Sequence, residues 1–281
     1  AVVTSNGALT LSNGDTASYS SGSGSANIVF TTTVAEGDNA ASDLSVSAYT
    51  GTIADAAGGA AAATGTVDLG AVVIDGDAPD FVSVAATDGT YNIGDTLSIT
   101  VTWDEAVVVT GTPTLTLSNG DTATYSSGSG STALVFTTTV ADGDTDSSDL
   151  SVSSYSGTIA DSGGGTAGAA SGDLGAVVVD GSTPDITGCD ATDGTYGPGD
   201  TISITCTYNE AVTVTGTPTI TLSNSDVASY ASGSGSTGIV FTTSVATSDT
   251  TSSDLSVSSI QPTAGGATMK DSATNAVSTT I

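Results

Sequence analysis

The sequence predicts an all-β protein made of tandem immunoglobulin-like β-sandwich domains. A long segment occurs nearly three times, with Phe30, Phe136 and Phe241 at one equivalent position, so the period is about 105 residues. A unit of this length matches a whole small domain and is too long for a solenoid repeat. Within each copy, short runs alternate apolar and polar residues, and Thr, Ser, Val, Gly and Asp outnumber helix-forming residues.

The second copy contains all the strands that the pattern predicts. In residues 97–103 every second residue is apolar, which is typical of a strand with one buried face. Turn signals such as Asn119-Gly120 separate the runs. The predicted strands are residues 80–86, 97–103, 106–109, 114–117, 122–125, 133–140, a short run around 150–152, and 176–179. Seven or eight short strands at this spacing favour a β-sandwich, and no segment has a convincing helical period.

The repeat divides the chain into three predicted domains: residues 1–75, 76–180 and 181–281. The junctions read VVIDGDAPDF from Val72 and VVVDGSTPDI from Val177. At each junction the last strand of one domain leads into the first strand of the next after about five residues. Because there is no long Gly/Ser linker, we expect neighbouring domains to lie close together and to have only limited freedom to rotate relative to each other.

The first copy is incomplete at its start. Residues 1–4 align with residues 107–110, so the two strands equivalent to residues 80–103 are missing from this copy. A sandwich without them would expose core and open strand edges. Two explanations remain open: the chain is a segment of a longer protein, or another subunit supplies the strands by complementation in a polymer.

The charge balance excludes several functions. The chain carries 30 acidic side chains, one basic side chain (Lys270) and no histidine, for a net charge of −29. Nucleic-acid binding needs Lys and Arg to neutralise phosphates, and an anionic membrane surface would also repel this chain. No apolar run approaches the roughly 18 residues of a membrane helix, so direct membrane insertion is not expected. Because the chain has no histidine to act as a base and no arginine to bind an anionic substrate, we expect no enzymatic activity.

Acidic residues recur with the repeat, at the junctions and in adjacent loops. Asp is a preferred hard-oxygen ligand of calcium. Carboxylates that converge at a joint between two domains would therefore bind Ca²⁺ and stiffen the row of domains. The predicted calcium ligands are Asp75, Asp77, Asp80, Asp142, Asp144, Asp180 and Asp185. The alternative is that these residues form Asx-turns and keep the surface soluble.

Cys189 and Cys206 replace Val84 and Val101 of the second copy, which are core-facing positions on strands expected to be neighbours. The pairing predicts a disulfide within the third domain, worth about 3 kcal/mol in the chain-entropy model. Such a bond fits an oxidising, extracellular location. The alternative is two buried free thiols.

The string DGTYNIGDTLSITVTWDEAVVVTGTPTLTLSNG begins at Asp88, and it returns from Asp193 as DGTYGPGDTISITCTYNEAVTVTGTPTITLSNS. It resembles the bacterial immunoglobulin-like (Big or cadherin-like) repeats of very large secreted surface proteins. The resemblance covers nearly the whole chain. It implies tandem β-sandwiches in adhesin stalks and surface filaments, which are often stiffened by calcium.

These features predict a non-enzymatic, extracellular structural protein at the cell surface, the repeat shaft of a filament or adhesin. Its expected partners are copies of itself or further repeats of a longer chain. The alternative is a glycan- or receptor-binding module of an adhesin or phage fibre, or a surface-layer component, with host or surface glycans as ligands. The SSGSGS loops from Ser126 and their counterparts are nearly identical, which favours a scaffold over a variable recognition surface.

Overall fold

The fold comes from a computed structural model that describes residues 1–3, 7–61 and 65–281. Strands make up 52% of the chain and helix 1%, which confirms the all-β sandwich class. Within the described residues, no strand pairing crosses the predicted boundaries after residues 75 and 180. No helix in these ranges is long and apolar enough to cross a membrane.

The first repeat, residues 1–75, forms one antiparallel sheet and a separate strand pair. Its strands within the described residues are β1 (Val2–Val3), β2 (Ala8–Leu11), β3 (Thr16–Ser21), β4 (Val29–Thr31), β5 (Ser45–Thr50), β6 (Ile53–Ala54) and β7 (Val67–Asp68). The sheet order is β4-β3-β2-β5-β7, and β1 pairs with β6. Val2 lies opposite Ala54, just as Val108 lies opposite Ala160 in the second repeat, in agreement with the sequence alignment. Residue 4 of that alignment is outside the described residues.

The second repeat, residues 76–180, has the fullest set of strands. They are β8 (Phe81–Ala86), β9 (Gly89–Asn92), β10 (Thr96–Leu117), β11 (Thr122–Ser127), β12 (Ser131–Thr139), β13 (Ser151–Ala160), β14 (Gly172–Asp173) and β15 (Val177–Asp180). Most join in the order β11-β12-β10-β13-β14, and β8 pairs with β10. The exception is the parallel pair of β9 and β15, in which Val177 lies opposite Gly89.

Strand β10 is the longest strand of the second repeat and pairs with four others. Its 22 residues unite the predicted strands at 97–103, 106–109 and 114–117. Its first part pairs with β8 and β12, and its second part pairs with β11 and β13. The register against β12 shifts between Thr102 and Val107, which is the irregularity expected where one strand bends between two packed layers. Glu105 lies in this bend.

Alternation along β10 builds the core. Leu97, Ile99 and Val101 are no more than 1% exposed, while the residues between them point outward or lie half-buried. Trp103 is also buried and makes edge-to-face contacts with Phe81 and Tyr155, at centroid distances of 6.1 and 5.9 Å. Each such aromatic contact is worth about 0.5–1.5 kcal/mol beyond the area that it buries.

The third repeat, residues 181–281, follows the same plan. Its strands are β16 (Ile186–Ala191), β17 (Thr201–Thr215), β18 (Thr219–Leu222), β19 (Val227–Ser232), β20 (Ser236–Ser244), β21 (Val257–Gln261) and β22 (Thr268–Lys270), with one 3₁₀ turn at Ala264–Gly266. The order is β16-β17-β20-β19-β18-β21, and β22 pairs with β17. Cys189 of β16 lies opposite Cys206 of β17, and the two form a disulfide.

The short linkers that follow residues 75 and 180 accept backbone hydrogen bonds from both neighbouring repeats. The N–H of Gly37, in the first repeat, donates to the carbonyl of Gly76 at 2.8 Å, and that of Gly168, in the second, donates to Pro79 at 3.0 Å. The second linker has the matching pair of bonds, from Gly143 to Gly181 and from Ser278 to Pro184. The short linkers are therefore packed against both neighbouring repeats.

Candidate metal centre

Three carboxylates meet at each of the two joints. Asp75, Glu105 and Asp161 each place one oxygen within 4.8 Å of the oxygens of the other two. Asp180, Glu210 and Asp271 form the same arrangement at the next joint. In each trio the first residue ends one repeat and the other two belong to the next. We call these groups the first and second joint clusters.

Equivalent elements position the three side chains of each cluster. In the second joint cluster, Asp180 is the last residue of β15. Glu210 lies in β17 within the register shift between Thr207 and Val212, the counterpart of the bend that holds Glu105. Asp271 directly follows β22, as Asp161 directly follows β13. The ends and bends of three strands therefore bring together residues far apart in the sequence.

One aspartate of each cluster is buried, and only one of its two carboxylate oxygens accepts hydrogen bonds from the described residues. Asp161 is 6% exposed, and its Oδ1 accepts the N–H groups of Gly164 and Gly165 at 2.6 and 3.0 Å. Asp271 is 4% exposed, and its Oδ1 accepts the N–H of Asn275 at 2.9 Å. The Oδ2 atom of each aspartate is buried and has no hydrogen-bond partner among the described residues.

Glu210 contributes a further buried oxygen, Oε1, which also lacks a hydrogen-bond partner in the described part of the chain. A buried polar atom without a partner costs about 1–3 kcal/mol, and more when it is charged. Because native proteins rarely leave such atoms unsatisfied, unpartnered carboxylate oxygens that converge on one point indicate a cation site.

A tight loop keeps Asp161 in place. Its backbone N–H donates to the carbonyl of Gly165 at 3.0 Å while its carboxylate accepts from that loop. A Cβ at Gly165 would collide with Asp161 Oδ2 and would come within 3.0 Å of Ala78 Cα. Any side chain at this position would therefore have to displace the carboxylate or the linker. The equivalent residue of the third repeat is Asn275, whose carbonyl accepts from the N–H of Asp271 at 3.1 Å.

The electrostatics of both clusters disfavour full ionisation. Burial raises the pKa of Glu105, with repulsion from Asp161 and Asp75 adding to the shift. Burial likewise raises the pKa of Glu210 to about 7, helped by Asp271 and Asp180. These shifts have the direction expected for crowded, partly desolvated carboxylates.

Asp180 experiences opposing influences. Burial and the charge of Asp271 raise the pKa of its carboxyl, while hydrogen bonds from the Ser182 N–H and the Asn275 side chain lower it. The raising effects prevail, so the second cluster as a whole carries unfavourable negative charge that a cation would compensate.

The donor set is made of carboxylate oxygens alone. Each cluster offers three such ligands, and the chain has no histidine. Both cysteines are joined in the disulfide. Three hard oxygen donors at these separations can hold a metal ion of the kind that prefers oxygen ligands.

The structure divides the seven aspartates expected to bind calcium into three groups. Asp75 and Asp180 belong to the joint clusters, and Asp77 and Asp185 lie near enough to raise the pKa of Glu105 and Glu210. Of the other three, Asp80 donates its backbone N–H to the Asp104 carboxylate at 2.8 Å, and the Asp142 carboxylate accepts from the Thr183 hydroxyl at 3.3 Å across the second junction. The Asp144 carboxylate accepts from the nearby Ala141 N–H at 2.7 Å.

Four cluster residues were not among the sequence-based candidates: Glu105, Asp161, Glu210 and Asp271. A signal for them exists in the repeat itself. Glu recurs in the EAV motif, and Asp recurs after the TIA and TMK runs, with Asp55 as its counterpart in the first repeat. Asp55 accepts the N–H groups of Ala57 and Gly59, both at 2.8 Å, so this loop also recurs.

The fold and the joint clusters together define an all-β, sandwich-like protein with an acidic trio at each of the two joints. No protein-family model matches the chain, and no curated protein matches it significantly.

Proposed function

We propose that this chain is a non-enzymatic, extracellular structural protein, a repeat shaft of a cell-surface filament or adhesin whose joints bind calcium. The observation that carries the proposal is that the same carboxylate trio recurs at both joints, each trio drawing on two consecutive repeats. A cation bound to all three carboxylates would tie the end of one repeat to the body of the next. The mechanism is mechanical: sandwich cores resist extension, and bound ions limit bending at the joints.

Calcium is the cation that these donors favour. It accepts carboxylate and carbonyl oxygens in flexible geometry at high coordination number, whereas magnesium demands a near-octahedral shell and retains its waters. Asp77 near the first joint cluster and Asp146 near the second would add negative charge around the ion. The disulfide supports an extracellular setting, because such bonds persist in oxidising compartments.

Strand complementation with copies of the chain or further repeats also forms part of the proposal. In the second repeat, β12 has nine residues and pairs along its length with the first part of β10. Its counterpart β4 has three residues, Val29–Thr31. Val29 in this strand is 46% exposed, and Val34, three residues beyond its end, is 44% exposed. Phe30 is half-buried, while the equivalent Phe136 is fully buried. This edge would accept a strand with the alternating pattern of residues 96–102, supplied by another copy of the chain or by a further repeat.

Small-angle X-ray scattering of the monomeric chain, with calcium and with chelator, tests the calcium-stiffened shaft. We expect an extended particle in both conditions, with a larger maximum dimension and a narrower spread of shapes in calcium. The Asp161→Asn, Asp271→Asn double variant should behave in calcium as the wild type does in chelator. A compact particle, or scattering that calcium leaves unchanged, would contradict the proposal.

A further inference from the structure

Two loops from different repeats meet at the second joint. One is the turn at the end of β9 in the second repeat, and the other follows Asp271 in the third. Asn275 is 5% exposed, and its Oδ1 accepts the backbone N–H of Ile93 at 3.0 Å. Beside it, the side-chain amide nitrogen of Asn92 lies 3.5 Å from the hydroxyl oxygen of Thr274. These contacts join the body of one repeat to the body of the next without using the carboxylate trio.

Thr274 has a backbone conformation that favours glycine. Its φ is 74–85° class of value seen at left-handed positions, namely 85°, where a β-branched residue is a genuine outlier. The equivalent residues of the other two repeats are Gly58 and Gly164, with φ of 87° and 99°. Such strain persists only where the surrounding structure holds it, and it concentrates at functional sites. A threonine at this position therefore indicates a role for its side chain, whose hydroxyl faces Asn92.

The loop that carries Thr274 otherwise matches its counterpart in the second repeat. Asp271 Oδ1 accepts the Asn275 N–H at 2.9 Å, as Asp161 Oδ1 accepts the Gly165 N–H at 3.0 Å. The third repeat reads DSATN from the aspartate, and the second repeat reads DSGGG. Because glycine has no side chain, the loop of the second repeat cannot form these contacts.

The turn on the other side of the contact also varies while its backbone is kept. Gly197 and Pro198 replace Asn92 and Ile93 in the third repeat. In each turn the first of these residues donates its N–H to an aspartate three residues further on, at 2.9 and 2.8 Å. The turn of the third repeat nevertheless has neither an amide side chain nor the N–H that Asn275 accepts, because proline lacks that donor.

The side chain of Asn275 is held at its other end as well. Its amide nitrogen lies 3.1 Å from the carbonyl oxygens of Asp180 and Ser182, so the contact with Ile93 comes from a side chain that is fixed in place. Relative motion is the default for neighbouring domains that share a small interface. A buried hydrogen bond from one repeat to the next restricts that motion.

We propose that Asn92, Ile93, Thr274 and Asn275 form a latch that holds the second and third repeats in one relative orientation, whether or not a cation is bound. The inference rests on the proposed function only in treating the repeats as one shaft, because the latch needs no calcium. Both sides of the contact must be present, and the chain brings them together at the second joint. Calcium would then change the stability of this joint more than its geometry.

Pulsed electron–electron double resonance on the full chain tests the latch. Nitroxide labels at Ser126→Cys and Ala231→Cys would report the distance between the second and third repeats, since both positions are exposed and equivalent. The native cysteines are joined in the disulfide and do not take the label. In chelator, the labelled chain should give a distance distribution as narrow as the one in calcium.

Two variants remove the latch from opposite sides, using residues that the same loops carry elsewhere in the chain. Asn92→Gly, Ile93→Pro copies the turn of the third repeat, and Thr274→Gly, Asn275→Gly copies the glycines of the second. In chelator each pair should broaden the distribution about twofold. The four substitutions together should broaden it no further, because they remove the same contact. Ser272→Gly, an exposed change in the same loop, is the matched control and should leave the distribution narrow.

A broad distribution for the labelled chain in chelator, without further substitution, would overturn the inference. An unchanged width in both latch variants would also overturn it, as would broadening that adds up when the four substitutions are combined. None of these results depends on whether the joint clusters bind calcium, because all of them are obtained in chelator. Failure of the calcium sites and failure of the latch are therefore distinguishable.

Discussion

The side-chain amide of Asn275 lies 3.1 Å from Asp180 Oδ1, so a neutral donor from the third repeat contacts a carboxylate that ends the second. The same amide nitrogen is 3.1 Å from the carbonyls of Asp180 and Ser182, and Asn275 Oδ1 accepts the Ile93 N–H at 3.0 Å. At the first joint the equivalent residue is Gly165. The two joints therefore share a carboxylate trio but differ in this fixed bridge.

The Asn275→Ala variant should weaken the second joint most when no cation is present. Loss of the amide leaves the half-buried Asp180 carboxylate with fewer donors, which costs about 1–3 kcal/mol in a partly buried setting. We expect the free energy of unfolding of the third repeat, measured with urea in chelator, to fall by that amount, so that the transition moves to a lower urea concentration. Ser272→Ala, an exposed change in the same loop, is the control and should leave the transition in place. Equal transitions for both variants would argue against the bridge.

Substituting the buried aspartate of a joint cluster should have opposite effects with and without calcium. In chelator, Asp271→Asn removes a charge that repels Glu210 and Asp180, so we expect a third repeat about 1 kcal/mol more stable than wild type. In calcium the same variant should be less stable than wild type, because it has lost a ligand. Thermal melts in both buffers measure this, with Asp149→Asn as the exposed control. Destabilisation in both buffers would assign Asp271 a purely structural role.

The effect of calcium should grow with pH. In chelator, burial and neighbouring charges raise the pKa of Glu210 from 4.5 to about 7. Between these two pH values Glu210 keeps its proton in the folded protein but has lost it in the unfolded protein. The stability from that proton is complete below about pH 4.5, and it is lost as pH rises to about 7. Calcium binds the ionised form, so the rise in melting temperature on adding calcium should be larger at pH 8 than at pH 5. A calcium effect independent of pH would contradict this linkage.

The disulfide should stabilise the third repeat alone. Cys189 and Cys206 stand where the second repeat has Val84 and Val101, opposite each other in the same register. Replacing both cysteines by valine should therefore preserve the packing and remove the cross-link, at a cost of about 3 kcal/mol. Urea unfolding with and without reductant provides the measurement. Wild type with reductant should match the valine variant, and a transition unchanged by reductant would sink the prediction.

Local patterns in the sequence were sufficient to predict most strands. The alternation in residues 97–103 reflects contact with one core, and the structure places it in β10. Alternation could not reveal that three predicted strands form one bent strand, because the bend at Glu105 depends on which layer each half packs against. The parallel pair of β9 and β15 also went unpredicted, since it joins segments 88 residues apart, Gly89 to Val177.

The candidate site was predicted in part for the same reason. Asp75 and Asp180 stood out because junction sequences are visible as such. Asp161 and Asp271 looked like ordinary loop residues, and only the folded chain brings them within 4.8 Å of the junction carboxylates. Asp144 is a predicted calcium ligand that lies outside both joint clusters, and one of its carboxylate oxygens accepts the Ala141 N–H in a local turn. The same sequence pattern supports either role.

Counting calcium ions by isothermal titration calorimetry tests the central claim, that each joint cluster is a calcium site. Wild type should bind calcium at two sites, Asp161→Asn and Asp271→Asn at one each, and the double variant at neither, while Asp149→Asn keeps both. Binding that is absent in wild type, or unchanged in the double variant, would contradict the account.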